Sequence, residues 1–357
     1  MRRGLMQWDP QELPRAVLDA RLERLRATMR REKLDAFLIY TNLVRPSAVC
    51  WLTGFTPYWS EGALLVLREG APIFCTALSK RVAEWIKSTN VVSEVTNAPR
   101  PGKLLGERLT ADASVKRLGV LEFDALPTGL YDDLTEAAPA LTLVDASSAF
   151  AGLRATIDES ERHLLVRADA LATAALDQID PAHANDAGAI AGLVEQHARL
   201  AGAEEAYIAI AADLDADRRL LRIAKPTPLG LRFAVRASIA YKGAWVRCIR
   251  SFARDEAGCS AVSRAEAWFA ETCAAIDSAK PLSAQVDAYT AALPDASLDN
   301  WMAEACVGSY PLQVVATSGN PAPQTPGDVL VLTLALTVDG VPWLGAAPIF
   351  SGQPSRN

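Results

Sequence analysis

Arg236 and Arg247 are the residues of this chain whose type and spacing point most directly to chemistry. They sit in RASIAYKGAWVR, which reads as a β-hairpin turning at Lys242-Gly243. With that turn, Ser238 stands opposite Arg247, and Arg236 lies diagonal to it, roughly 7–8 Å away on the same face. Period-two alternation adds Trp245 to the face of Arg247 and sends Cys248 to the other. From Arg218 to Arg254 there are ten basic residues and no acidic one. Forked guanidinium groups hold a carboxylate or phosphate through two parallel hydrogen bonds, so Arg236, Arg247, Ser238 and Trp245 are candidates for a small-anion pocket. The competing reading is that a carboxylate from elsewhere in the fold neutralises the arginines, and that Trp245 simply packs. Charged runs are, after all, usually solvated faces.

Other chemistry-bearing residues are sparse. There are three histidines, His163, His183 and His197, and none follows position 197. The six cysteines form no Cys-x-x-Cys pair, and their scatter suits reduced thiols rather than a disulfide framework. DLDADRR at 213–219 opens like a calcium loop, but Arg218 takes the place of the required glycine and Ala224 that of the closing glutamate. Nucleophile-elbow, phosphate-loop and dinucleotide motifs are absent.

The elements that must position these residues fall into two sets. In the first half, Leu18, Leu22, Leu25 and Met29 recur at helical spacing before the short apolar run AFLIY. Strands are expected in GALLVLREGAPIFCT, LGVLEF and LTLVDA, with a helix in SKRVAEWIKS. That alternation implies an α/β domain over 1–150. From 151 to 357 the order changes. Asp158 and Glu161 open a long helix, DAGAIAGLVEQHARLAG is a second, and Ser263 with Glu266 opens a third. The segments AYIAIAA, LRFAVRASIAY, AWVRCIRSF and the tail GDVLVLTLALTVDGVPWLGAAPIF read as strands, giving an α+β domain.

Half of the 357 residues are hydrophobic and the net charge is −6, which argues against general affinity for nucleic acid or anionic membrane. No apolar run approaches the ~18 residues of a bilayer span, and MRRGLMQWDPQELPR has no apolar core of a leader peptide. A cytoplasmic protein without membrane or nucleic-acid partners is expected.

Several stretches, in order along nearly the whole chain, resemble the creatinase, prolidase and aminopeptidase P family. WLTGF at 51–55 is similar to that family's N-domain strand and turn, and GLRATIDESERHLLVRADALATAAL to its inter-domain junction. YKGAWVRCIRSF resembles the family's Tyr-x-Gly-Tyr-x-x-Asp-x-Thr-Arg-Thr-Phe, and GDVLVLTLALTVDG its Glu-Pro strand. The resemblance implies a small N-terminal domain followed by a pita-bread domain holding two metal ions through two Asp, one His and two Glu. It also implies a homodimer, with Trp51–Trp59 near the partner's pocket, or a heterodimer with an active relative. Creatinase keeps the fold without metal.

Carried over, every ligand position differs. Arg236 and Arg247 stand at the two Asp positions, Gly308 at the His, Thr333 at the first Glu and Gly345 near the last. Arginine has no acceptor and stays protonated, so it cannot ligate a cation. The expectation is therefore no metal, no cofactor, and a pocket that takes a small carboxylate-bearing ligand without peptidase activity. The alternative is a metal-independent enzyme acting on a C–N bond of an amino-acid-like substrate, with Tyr310, Tyr241, Asp339 or Glu304 as proton carrier.

Overall fold

The computed structural model describes residues 8–55, 61–223, 225–277, 280–306, 312–321 and 329–350. The chain divides into two compact units, Arg2–Thr156 and Ile157–Asn357. The division falls beyond position 150, because 150 lies inside a helix, Ser147–Arg154, that belongs to the first unit.

The first unit runs α1 (Arg15–Arg31), β1 (Ala36–Thr41), α2 (Ser47–Thr53), β2 (Gly62–Leu67), β3 (Ile73–Thr76), α3 (Lys80–Thr89), β4 (Glu94–Asn97), α4 (Pro101–Thr110), β5 (Arg117–Val120), α5 (Thr128–Ala137), β6 (Thr142–Asp145) and α6 (Ser147–Arg154). Its sheet has the order β4-β3-β2-β1-β5-β6, antiparallel from β1 to β3 and parallel elsewhere. Leu18, Leu25 and Met29 of α1 are buried as their spacing predicts. WLTGF is not a strand. It is the end of α2, stopped by Gly54 in the left-handed region (φ 70°), whose N–H bonds back to Cys50. All of residues 48–53 are buried, and a helix buried all round carries no periodic signal to separate it from a strand.

The second unit runs α7 (Glu159–Leu176), α8 (Ala187–Leu200), β7 (Glu205–Ala211), β8 (Arg232–Tyr241), β9 (Ala244–Ala253), α9 (Glu256–Ala275), α10 (Leu282–Ala291), β10 (Ala296–Ala305), β11 (Gln313–Thr317), β12 (Val329–Val338) and β13 (Val341–Phe350). Asp158 caps α7 by accepting from the Glu161 N–H, as expected. Helix α9 starts seven residues before Ser263, at Glu256, because Asp255 is the N-cap and accepts from Gly258. Seven strands form one sheet, β11-β10-β12-β13-β9-β8-β7. Its one seam lies in the middle, where β13 meets β9 in ladder pairing only at Ala346 opposite Ile249. The Ser251 hydroxyl splices the seam, donating to the Leu344 carbonyl (2.8 Å) and accepting from the Leu344 N–H (2.9 Å).

Helices pack on one face of this sheet. Cys248 reaches Asp169 of α7, Arg250 reaches Asp177 just beyond α7, and the Trp343 indole donates to Glu266 of α9. The opposite, inner face carries the residues the sequence singles out.

Candidate functional site on the inner face

The β8–β9 hairpin turns at Lys242 and Gly243, both at positive φ (48° and 82°), the type I′ geometry that suits the twist of paired strands. The buried Glu204 carboxylate accepts from the N–H groups of both turn residues and fixes the turn. The register then follows: Ser238 faces Arg247 and Arg236 faces Ile249. One line of inner-face side chains across the sheet runs Met302, Thr333, Ala346, Ile249, Arg236 and Ala209. The next, two residues along each strand, runs Glu304, Val331, Pro348, Arg247, Ser238 and Tyr207.

The arginines therefore share a face, as expected, but Arg247 already has its anion. Its Nη1 is ion-paired with Glu304, whose side chain is 3 % exposed against 9 % for Arg247. Its Nε lies 3.5 Å from the Ser238 hydroxyl. Burial pushes the Glu304 carboxyl above its usual range, and the Arg247 and then the Arg236 guanidinium oppose that shift. The question of which anion meets Arg247 thus has an internal answer, a carboxylate brought from β10 across two intervening strands. Thr333, in line with Arg236, has a buried hydroxyl with no hydrogen-bond partner among the described residues. Trp245 is buried and stacked on Tyr207 at 5.5 Å and 8°, so it packs while walling the Arg247 side of the face.

The remaining candidates separate from this cluster. Tyr241 is odd-numbered where Arg236 and Ser238 are even, so its ring lies on the helix-covered face, against Arg167 of α7 and Lys242. Asp339 sits in the β12–β13 turn with φ 52° and pairs with Arg264 at 2.9 Å. It is eight residues along β12 from Val331, the partner of Glu304, a span of roughly 26 Å at strand rise. Tyr310 and Gly308 lie outside the described residues, as does Trp59. Trp51 is buried rather than placed at a mouth, with the guanidiniums of Arg21, Arg24 and Arg154 at 5.2, 5.6 and 4.6 Å from its ring. Gly345 is turned to the helix side, where an added Cβ would strike the Trp343 ring; the inner-face neighbour of Thr333 is Ala346. His163 and His183 are exposed, and His183 pairs with Asp180. Asp213 and Asp217 of the calcium-like stretch are engaged in local turn contacts with Asp215 and Arg219.

The residues present do not fit a dimetal centre. The positions that the resemblance assigns to carboxylates hold Arg236, Arg247, Thr333 and, near the last, Gly345, with Ala346 beside it on the inner face; these offer two cations, a hydroxyl and no further ligand. No group of three or more metal-ligating side chains occurs among the described residues. Three thiols of this unit are disfavoured as nucleophiles or ligands at neutral pH. Burial pushes the Cys306 thiol far up, Cys273 up to about 12, and Cys248 well above its usual value, so the thiolates needed for attack or ligation are not populated.

Comparison with known proteins agrees with this architecture. Residues 21–156 match the model of the creatinase/prolidase N-terminal domain. The Xaa-Pro dipeptidase of Bacillus anthracis superposes with a TM-score of 0.71 at 17% identity, covering 95% of this chain and 99% of that one. The prolidase of Pyrococcus horikoshii gives 0.65 at 15%, covering 94% and 97%. A variant of Escherichia coli aminopeptidase P gives 0.71 at 12%, covering 98% and 94%. At these identities the structural likeness is one of fold. No curated protein sequence matches the chain.

Proposed function

We propose that the chain is a member of the creatinase, prolidase and aminopeptidase P family, one whose former metal site binds a small carboxylate-bearing ligand without peptidase activity. One observation carries the reading. Guanidinium groups stand on the inner face at the positions where the resemblance implies aspartate ligands, and no inner-face carboxylate stands at the glutamate positions. A pocket with that sign repels a divalent cation and attracts an anion. Ser238, the Thr333 hydroxyl and the Trp245–Tyr207 stack supply hydrogen bonding and an apolar wall beside the arginines. Glu304 tempers the charge at Arg247, and Arg236 adds a second guanidinium to the same face.

Two measurements test this. Elemental analysis of the purified protein is expected to find no stoichiometric transition metal; two ions per chain would overturn the reading. Thermal-shift titration with acetate and propionate is expected to show saturable stabilisation that weakens in Arg236→Ala. Binding unchanged in both Arg236→Ala and Arg247→Ala would sink the anion pocket. The reading includes a homodimer, checked by light scattering.

A second reading, a metal-independent enzyme acting on a C–N bond, retains one described proton carrier. It is Glu304, whose carboxyl is held up by burial while it lies within reach of the arginines. Turnover of a bound carboxylate compound, lost in Glu304→Gln, would favour it.

A further inference from the structure

The Arg247–Glu304 pair has a consequence for any carboxylate that binds here, and it rests on the anion-pocket reading above. A guanidinium offers five N–H donors. One nitrogen of Arg247 is held by Glu304 and Nε lies near Ser238, which leaves donors at Nη2. A ligand carboxylate on those donors stands beside the Glu304 carboxylate, because both are fixed to one planar group. Two carboxylates fixed to one guanidinium in a dry site raise each other's pKa, so one of them is prone to take up a proton. The groups facing Glu304 decide which one. Arg247 from β9 and Arg236 from β8 are the cations in reach, and Cys306 beyond β10 is a thiol that remains protonated. Val331 on β12 and Val314 on β11, its strand neighbours, bring no charge. Glu304 is 3 % exposed and cannot turn to water, and burial already holds its carboxyl above the usual range, so it is the group that takes up the proton.

We infer that a carboxylate ligand enters this face together with one proton from solvent, which Glu304 takes up, leaving Arg247 held between a carboxylic acid and a carboxylate. The site then selects monocarboxylates delivered, in net terms, as the neutral acid. A dianion would bring a second charge with no second proton acceptor of this kind beside it.

The test is acetate binding to the whole protein between about pH 6 and pH 8, where acetate itself stays ionised. One linked proton makes the affinity fall by up to about tenfold per pH unit. Glu304→Gln is expected to bind acetate more tightly at the upper end and with no pH slope. A wild-type affinity that is constant with pH, or a slope that persists in Glu304→Gln, overturns the inference while leaving the anion pocket standing. Should Glu304→Gln fail to fold, mixing acetate with the wild-type protein in weak buffer reads the proton directly. A pH rise equal to about one proton per site filled supports the coupling, and no rise overturns it. Absence of acetate binding at every pH is a different result, which overturns the pocket and this inference with it.

Discussion

Arg247 and Arg250 lie three residues apart on β9, each is ion-paired with a carboxylate, and the two pairs are physically unlike. Arg250 points to the helix side and meets Asp177 with side-chain exposures of 30 % and 53 %. Arg247 points inward and meets Glu304 at 9 % and 3 %. A pair in water gains little, because solvent screens the attraction and two long side chains lose freedom. A pair out of water is strongly attractive but carries a desolvation penalty of similar size, so its removal in halves is what hurts. The lesson is that a count of basic residues in a stretch says little about function. Alternation sends identical residue types into media of different polarity, and the medium sets the consequence.

The largest expected effect breaks the buried pair. Glu304→Ala or Arg247→Ala alone should cost about 3–5 kcal/mol in urea unfolding, since each strands a charge. The double replacement Arg247→Met with Glu304→Leu should recover most of that loss. A single-variant cost below about 1 kcal/mol would erase the contrast with Arg250. Next is Ser251→Ala at the seam, expected to cost about 1–3 kcal/mol, because it leaves the buried Leu344 N–H and carbonyl unsatisfied. Arg250→Ala should cost less than about 1 kcal/mol and lose that effect in high salt.

The finest prediction concerns pH, where a half-buried and a buried carboxylate act with opposite signs. The Arg232 guanidinium holds the Asp255 carboxyl down at about 2. Its contribution is therefore present above the usual carboxylate pKa of about 4 and lost as pH falls toward 2. Glu304 is shifted upward by burial, so ionising it subtracts stability as pH rises above about 4.3. A melting-temperature profile of Asp255→Asn should be flatter below about pH 4, while Glu304→Gln should be flatter above it. Coincident profiles would contradict both assignments.

The hairpin was legible because its register is encoded locally, even though the distant Glu204 carboxylate also braces the turn. Lys-Gly sets the turn, alternation sets the faces, and Ser238 opposite Arg247 follows without knowledge of the rest of the fold. The same alternation already separates Tyr241 from Arg236, and Val-Asp-Gly-Val around Asp339 is a turn signal between two apolar runs. Glu304 was not legible as the partner of Arg247. It arrives from 57 residues away through a strand order that places β13 and β12 between, and no local pattern encodes that order. The early start of α9 was hidden for a related reason, since Asp255 also serves Arg232 and reads equally well as a turn residue.

The seam between β13 and β9 gives the sheet a line of weakness. On one side lie β7, β8 and β9; on the other, β13, β12, β10 and β11. Besides the single ladder pair and the Ser251 splice, the Arg247–Glu304 bond crosses that line, joining the seam strand β9 of one half to β10, the third strand of the other. The bond is thus a tie-rod as well as a charge pair. Loosening it frees two stiff panels to hinge, so amide exchange in β9 and β13 should quicken ahead of global unfolding and report occupancy of the face as a mechanical signal.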